Sequence, residues 1–590
     1  MALKQRNTAQ ANVMHTVQWL TLFCVILLGT VPLILAILRL WSVTQVSPLE
    51  ALRHFPEQIG AMDALRFTLI EALLSTLLTV VLGLPVAWSL GRYQWRGIRS
   101  KRALFYLPFV TPPIVAAAGF LALISPGGLF SSFGLDLRGE TGFIGWLAET
   151  TGWQHPGHMI ALVLAHAWFN LSLMIRFVEP VIAQLNPAWE EQLMMLPKGQ
   201  SASGRIRHLW LPVLGPSVAV AATYAFFFSF TSFALVKWLT PDFNTLESLL
   251  ADLGGSAGIY NYRVDTSLGV LAIAGLQALL MLTILAGAGF LERKHTMTIS
   301  IHEEHTNRKK RGTPPLKSRF IVYLLLLASM LPFVSVVVAS FRTRATSQNG
   351  HTEFHWTLEG WQRAWTGDAS TLTLLEALQN SLVYAALTLV IALPIGYILA
   401  SMFHRLENNG KKRLASLLDT LCMIPLSASA VMVGLGVLLG LLRWYPELFM
   451  YRYLPVLPHV MLVLPFLVRM LRPAFSRIEP AFEEQVRLLN LPPLQSWWHS
   501  KGASMMAPLT MAASLCLAFS LGEFGATYLL IRVGSWDSLS IMVDQLLGRP
   551  KFDPLIMPTA MAVAASLMLT TLFVLWLSEQ LRMKQGDAND

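Results

Sequence analysis

The sequence predicts an all-α polytopic membrane protein with twelve transmembrane helices, arranged as two parallel six-helix repeats. Three observations predict it. Of 590 residues, 54% are apolar and only 13% carry a formal charge, whereas a soluble globular protein averages about 25% charged residues. So little polar surface cannot keep a chain of this size in water throughout. Twelve stretches approach the length of about 20 apolar residues that a helix needs to cross the hydrocarbon. Finally, a segment of the first half recurs 293 residues later. The composition excludes a cytosolic enzyme, a disordered regulator and a secreted module. Aromatics at 10%, with 18 Trp, suit rings that line two membrane interfaces.

The stretches run over 17–38, 67–90, 103–124, 160–178, 212–238, 267–291, 320–340, 378–403, 414–442, 455–471, 508–531 and 555–577. The first follows Lys4 and Arg6, yet it is too long for a signal-peptide core and lacks a small-residue cleavage site, so it is read as a span. Orientation follows from the basic residues of the loops. With the N-terminus inside, 30 of the 44 Lys and Arg residues are cytoplasmic and 14 are not. Both termini are then expected in the cytoplasm of a bacterium, with the chain in its inner membrane. The loop after Trp238, with Asp242, Glu247, Asp252 and Asp265 against Arg263, faces out. The net charge of +10 resides in short loops between apolar runs and marks the inner face, so no nucleic-acid partner is expected. Membrane lipid is. Cys24, Cys422 and Cys516 lie inside apolar runs and give neither a metal spacing nor a disulfide framework. No metal site, cofactor or catalytic residue is expected.

The polar segment 292–319, with Arg308–Arg311 and then Pro314-Pro315, divides the spans six and six. It separates a first repeat, 1–291, from a second, 320–590. Residues 164–192 align without gaps on 457–485, with ten of 29 positions identical. His166 matches His459, Arg176 matches Arg469, Pro180 matches Pro473, and Glu190-Glu191-Gln192 matches Glu483-Glu484-Gln485. Leu84-Pro85 resembles Leu393-Pro394, and Phe228-Ser229 with Phe233-Ala234 resembles Phe519-Ser520 with Phe524-Gly525. An even number of spans in each half makes the repeats parallel, related by an axis along the membrane normal.

After the fourth and tenth spans come two cytoplasmic loops, about 183–211 and 472–507. Asn186-Pro187 is a helix start, a capping side chain followed by proline in the first turn. Pro197 ends that helix and the chain returns at Leu211-Pro212. In the second copy Pro480 starts a helix that breaks at 490–493. These loops resemble the permease subunits of binding-protein-dependent ABC importers, whose signature is a cytoplasmic Glu-Ala-Ala loop with a glycine six residues beyond the glutamate. The glutamate falls on Glu191 and Glu484. The alanine positions hold Gln192 and Leu193, then Gln485 and Val486, and the glycine position holds Pro197 or Asn490. Both copies therefore depart from the pattern. The resemblance covers nearly the whole chain in the fused double-length iron(III) and thiamine permeases, through 164–171 and 520–525. The segment 522–527 is also similar to molybdate and sulfate permeases.

The resemblance implies a type I importer permease whose loops fold as coupling helices on cytoplasmic ATPases, two in number. Glu190, Glu191, Gln192, Glu483, Glu484 and Gln485 are the ATPase-coupling candidates. Adjacent helical residues project about 100° apart, so Glu191 and Glu484 are expected to face the partner, and Glu190 and Glu483 to lie nearer solvent or the helix start. The run 199–206 has the glycine spacing of a phosphate loop but no Lys-Ser/Thr after it. ATP hydrolysis is thus expected in a separate subunit, and capture in an extracytoplasmic binding protein. Ionisable residues within spans are expensive. Glu523, with Ser232 as its repeat counterpart, is a candidate for the translocation path, set against a helix–helix contact. His166 and His459 are expected as interfacial histidines, and Arg176 and Arg469 as side chains reaching the inner headgroups. A thiamine-like cation or iron(III) leads as substrate, ahead of an oxyanion. The alternative is a twelve-span secondary transporter, for which 91–99 resembles a characteristic basic loop. Such a carrier has no use for a repeated Glu-Glu-Gln loop.

Overall fold

A computed structural model describes residues 2–131, 136–139, 142–257, 263–300, 312–346, 352–476, 478, 485–486, 488–489, 491–530, 536–550 and 552–587. Among these, ten helices are long and apolar enough to cross a membrane. They are His15–Thr44, Ala61–Arg92, Pro156–Gln184, Ala202–Phe230, Val264–Leu291, Leu316–Ser340, Leu374–Asn408, Val456–Ser476, Ser504–Gly522 and Ile556–Gln580. The expected count of twelve is corrected at the third and ninth stretches.

The third stretch is two helices, Ile98–Val110 and Pro113–Ile124, bent by 97° at the break, and it makes an eleventh span if the pair counts as one. Thr111 precedes Pro112-Pro113. Each proline lacks an amide hydrogen and disfavours helical backbone in the residue before it. The ninth stretch is a chain of short helices, Lys412–Cys422, Ile424–Ser427 and Ala430–Leu435, continued by a π-helical segment, Gly436–Leu441. Pro425 opens the second of these, and Ser429, with φ 58°, opens the third while its side chain accepts from the Met432 amide. Apolar periodicity registers hydrophobic length, which these segments have, but not the break that proline imposes.

Packing gathers the chain into two compact units that interleave along the sequence. One comprises 1–51, 250–271 and 359–590, and the other 52–249 and 272–358. Each unit contains the opening helix of the opposite repeat. In the first unit, the backbone of His15–Thr44 approaches the π-helical segment so closely that a Cβ on Gly440 would strike the Pro32 carbonyl. In the second, Leu316–Ser340 lies against Pro113–Ile124. There Gly119 leaves no room for a side chain beside Pro332, and the Ser335 hydroxyl donates to the Gly119 carbonyl at 2.7 Å.

The two units repeat a local design. In the second unit, the span Ala202–Phe230 ends at Thr231 and is followed by the short helix Ala234–Leu239 and by the first turn of Leu246–Ala257, of which 250–257 belong to the first unit. In the first unit, Ala503–Gly522 ends at Glu523 and is followed by Gly525–Leu530 and Leu539–Leu547. The Leu246 amide is caught by Thr68 Oγ1 at 3.0 Å, and the Leu539 amide by Ser381 Oγ at 2.8 Å. A single hairpin among the described residues pairs Arg342–Thr346 with Thr352–Trp356, with Arg342 opposite Trp356.

Candidate functional site

The first cytoplasmic loop folds as the sequence implies. Asn186 has extended backbone and its side chain accepts from the Ala188 amide at 3.0 Å, opening the helix Pro187–Met194. The chain turns through a single 3-10 turn, Pro197–Gly199, and re-enters a helix capped by Ser201, which accepts from the Gly204 amide at 3.0 Å. The close turn falls on Gly199, not at position 197 where the family pattern puts its glycine. A Cβ there would collide with the Leu193 carbonyl oxygen. Gly199 thus supplies the close approach two residues late.

Glu190 and Glu191 have opposite environments. Glu190 is 7% exposed, and one of its oxygens accepts from Arg92 at 2.6 Å while the other lies 3.9 Å from Arg205. The Arg92 guanidinium also sits over the rings of Trp88 at 4.8 Å and Trp210 at 5.2 Å. Aromatic faces and a carboxylate together satisfy a cation that is largely out of water. The expectation that Glu190 lies nearer solvent is therefore corrected: it is at the helix start but turned inward. It anchors the helix Pro187–Met194 to the end of Ala61–Arg92 and to the segment entering Ala202–Phe230. Glu191 and Gln192 are exposed. So are Trp189, Met194, Met195 and Leu196, giving the loop an apolar face with a carboxylate on it. In the second loop Glu483 and Glu484 lie outside the described residues. Gln485 is exposed and Val486 buried, and Trp497 donates to the Tyr397 hydroxyl at 2.7 Å.

Among the described residues, each unit holds one fully buried histidine–carboxylate pair, and the two are built differently. His166 Nδ1 lies 2.5 Å from Glu71, and both residues are at most 2% exposed. His459 Nε2 lies 3.2 Å from Glu523, while its Nδ1 lies 2.7 Å from Ser520 Oγ. Both histidines are buried and hydrogen-bonded. The carboxylate comes from Ala61–Arg92 in one unit and from the break after Ala503–Gly522 in the other. Glu523 also accepts from the amides of Ala526 at 2.8 Å and Thr527 at 3.0 Å, capping Gly525–Leu530. Ser232 is half-buried at the equivalent break. Sequence reasoning missed Glu71, although a carboxylate inside the apolar run 67–90 is itself a signal. Arg176 and Arg469 are exposed near the ends of their helices, as side chains reaching for headgroups would be.

A second pair reverses its polarity between the repeats. Glu179 is aligned with Arg472. In one unit Arg102 Nε donates to both Glu179 oxygens, at 3.1 and 2.9 Å. In the other, Arg472 meets Glu407 at 2.5 Å and Asp419 at 3.4 Å.

This fold, with its loop helix pinned to the span ends, is that of a multi-pass, predominantly helical membrane protein. Comparison with known proteins gives the same class. The chain is 24% identical over 484 residues to the thiamine transport system permease protein of Brucella abortus (strain 2308), covering 78% of each. It is 24% identical over 469 residues to the corresponding permease of Haemophilus influenzae, again covering 78% of each. The sulfate transport system permease protein CysT of Escherichia coli K12 is 28% identical over 221 residues, 37% of this chain and 70% of that one. No family model matches the chain. The similarities are to permease subunits of ABC transport systems, and not to enzymes.

Proposed function

We propose that this chain is the transmembrane subunit of an ATP-driven importer in the bacterial inner membrane. Both termini are cytoplasmic, and two cytoplasmic ATPase subunits bind at 183–211 and 472–507. A separate extracytoplasmic protein delivers the substrate. We assign a thiamine-like organic cation, ahead of iron(III) or an oxyanion, because the similarities spanning most of the chain are to thiamine permeases. The carrying observation is the split between the two glutamates. Glu190 fixes the loop helix to two spans, while Glu191 and Gln192 stay exposed among Trp189 and Met194–Leu196. A short helix so fixed can seat its apolar face in a groove on a partner and pass a rigid-body displacement to both spans, with Glu191 setting register against a basic group. By repeat equivalence the second loop, with Glu483, Glu484 and Gln485, serves the second ATPase in the same way.

The breaks at Ser232 and at Glu523 are assigned to the wall of the substrate path, each within its own unit. Irregular backbone at membrane depth is tolerated where it is buried in protein or lines a water-filled cavity. Glu523 contributes there as a helix cap.

Glu191→Arg combined with Glu484→Arg tests the coupling. We expect normal membrane insertion, loss of ATP-dependent thiamine uptake in proteoliposomes, and loss of ATPase co-purification. Like charges in the groove cost several kcal/mol. Normal uptake by the double variant would overturn the coupling role. Uptake driven by a proton gradient with no ATPase present would favour the secondary transporter instead.

A further inference from the structure

We propose that His155, His158 and Asp242 form a binding site for a zinc-class divalent transition-metal ion, at the end of the Pro156–Gln184 helix opposite the coupling loop. One ligand atom from each residue lies within 4.8 Å of the others. His155 caps the helix and His158 follows one turn later, their rings stacked with centroids 5.4 Å apart and planes 15° from parallel. His158 Nδ1 lies 3.0 Å from Asp242 Oδ2.

Donors on one tetrahedral zinc ion stand roughly 3.3–3.5 Å apart, so the widest pair here closes by at most about 1.5 Å, a ring turn about χ2. The backbone already holds the cluster. His155 has φ 49° and ψ 52°, a left-handed conformation that a residue with a Cβ keeps only when its surroundings enforce it, and one that concentrates at functional sites. Asp242 sits in the turn where the Phe243 amide donates to the Thr240 carbonyl at 3.1 Å, and Phe243 stacks on Phe67 at 5.0 Å. Phe243 also meets the His155 ring edge-on at 6.3 Å.

The donor set selects the ion. Two imidazole nitrogens and one carboxylate oxygen suit zinc and its neighbours, not magnesium or calcium, which take oxygen ligands. The Asp242 side chain is 49% exposed, so the fourth position opens to solvent, as it does in three-ligand sites. Arg138 is the competing charge. Burial pushes its pKa below the ordinary range, against the raising effect of the Asp242 and Asp136 charges. A bound ion would compete with Arg138 for the Asp242 charge and bolt the 240–243 turn to the helix start. At 1.5 Å per residue, the 29 residues of the helix put this site about 43 Å along its axis from the coupling loop. Spacing in sequence could not reveal it, because the third ligand is 84 residues beyond the second.

Zinc alone is the probe, titrated calorimetrically into the full-length chain purified without a histidine tag. We expect about one ion per chain, and cobalt in its place should give the visible absorption of a tetrahedral centre. Asp242→Asn, at a half-exposed position that leaves the fold intact by gel filtration, should weaken binding at least about tenfold and abolish the cobalt bands. His155→Gln should do the same, and His355→Gln, at an exposed position elsewhere, should change nothing. No zinc binding at millimolar concentration would overturn the site, as would wild-type binding in Asp242→Asn and His155→Gln. None of these readouts uses transport or an ATPase, so failure here leaves the permease assignment standing.

Discussion

At Glu190 a carboxylate is held between two arginines behind tryptophan rings, while its neighbour Glu191 meets only solvent. Removing one member of a buried ion pair strands the other, at a cost of about 3–5 kcal/mol. We therefore expect Glu190→Ala to lower the thermal midpoint of the detergent-solubilised chain by several degrees. Glu191→Ala, on an open face, should fall within about ±0.5 kcal/mol of wild type. Thermal unfolding of the two variants side by side decides it, and equal losses would refute the inward anchor. Both glutamates were visible in the sequence as a repeated motif, and helical geometry separated them. Which of the two turns inward was not visible, because that depends on Arg92, 98 residues earlier, and on Trp88 and Trp210. No local spacing encodes those contacts. The repeat equivalence of His166 and His459 was legible, but their acidic partners were not, because Glu71 and Glu523 occupy non-equivalent places in the two repeats.

Among the elements, the coupling loop shows how one atom can set a turn. Gly199→Ala puts a methyl group into the Leu193 carbonyl. The turn Pro197–Gly199 must open, so this variant should retain insertion while losing protection of the loop against limited proteolysis. Pro197→Ala should not. The short helix Leu539–Leu547 carries a different test. Just before it, the Asp537 side chain accepts from Gln545 at 2.7 Å. Burial pushes its carboxyl up to about 6, against the lowering effect of hydrogen bonds from Gln545 and Thr371. Folding then favours the protonated form. The stability it contributes is present in full below the unfolded value of about 3.9 and is lost as pH rises through about 6. Asp537→Asn should therefore gain thermal stability relative to wild type between pH 4.5 and 7.5, as read by thermal shift. An unchanged difference would mean that Asp537 titrates normally. Long apolar runs made ten spans legible. The other two broke at Pro112-Pro113 and around Pro425 and Ser429, where hydropathy remains high while the backbone turns.

In the whole molecule, each compact unit includes the opening helix of the opposite repeat. The first unit buries Leu22, Val25, Ala36 and Leu40 of the opening helix, and the second buries Val322 and Val336 of Leu316–Ser340. Expressed as separate pieces, 1–300 and 312–590, each product lacks a helix that its own fold surrounds. We expect the two pieces to co-purify through a tag on either one when made together, and each to aggregate or be degraded when made alone. Recovery of a monodisperse single piece would contradict the exchange. The duplication was plain in the sequence from the 293-residue offset, but the exchange was not, since an apolar helix carries no sign of which neighbours it joins.

The reversed ion pair bears on how a chain with two copies of one plan avoids confusing them. Pro156–Gln184 and Val456–Ser476 are repeat-equivalent helices, so each could in principle be offered the other's place as the chain inserts. Were the second to settle in the place of the first, Arg472 would confront Arg102. The converse error would set Glu179 against Glu407 and Asp419. Each wrong docking would bring like charges together at partly buried sites, so the polarity would act as a keyed connector that lets an internally repetitive polypeptide sort its own parts.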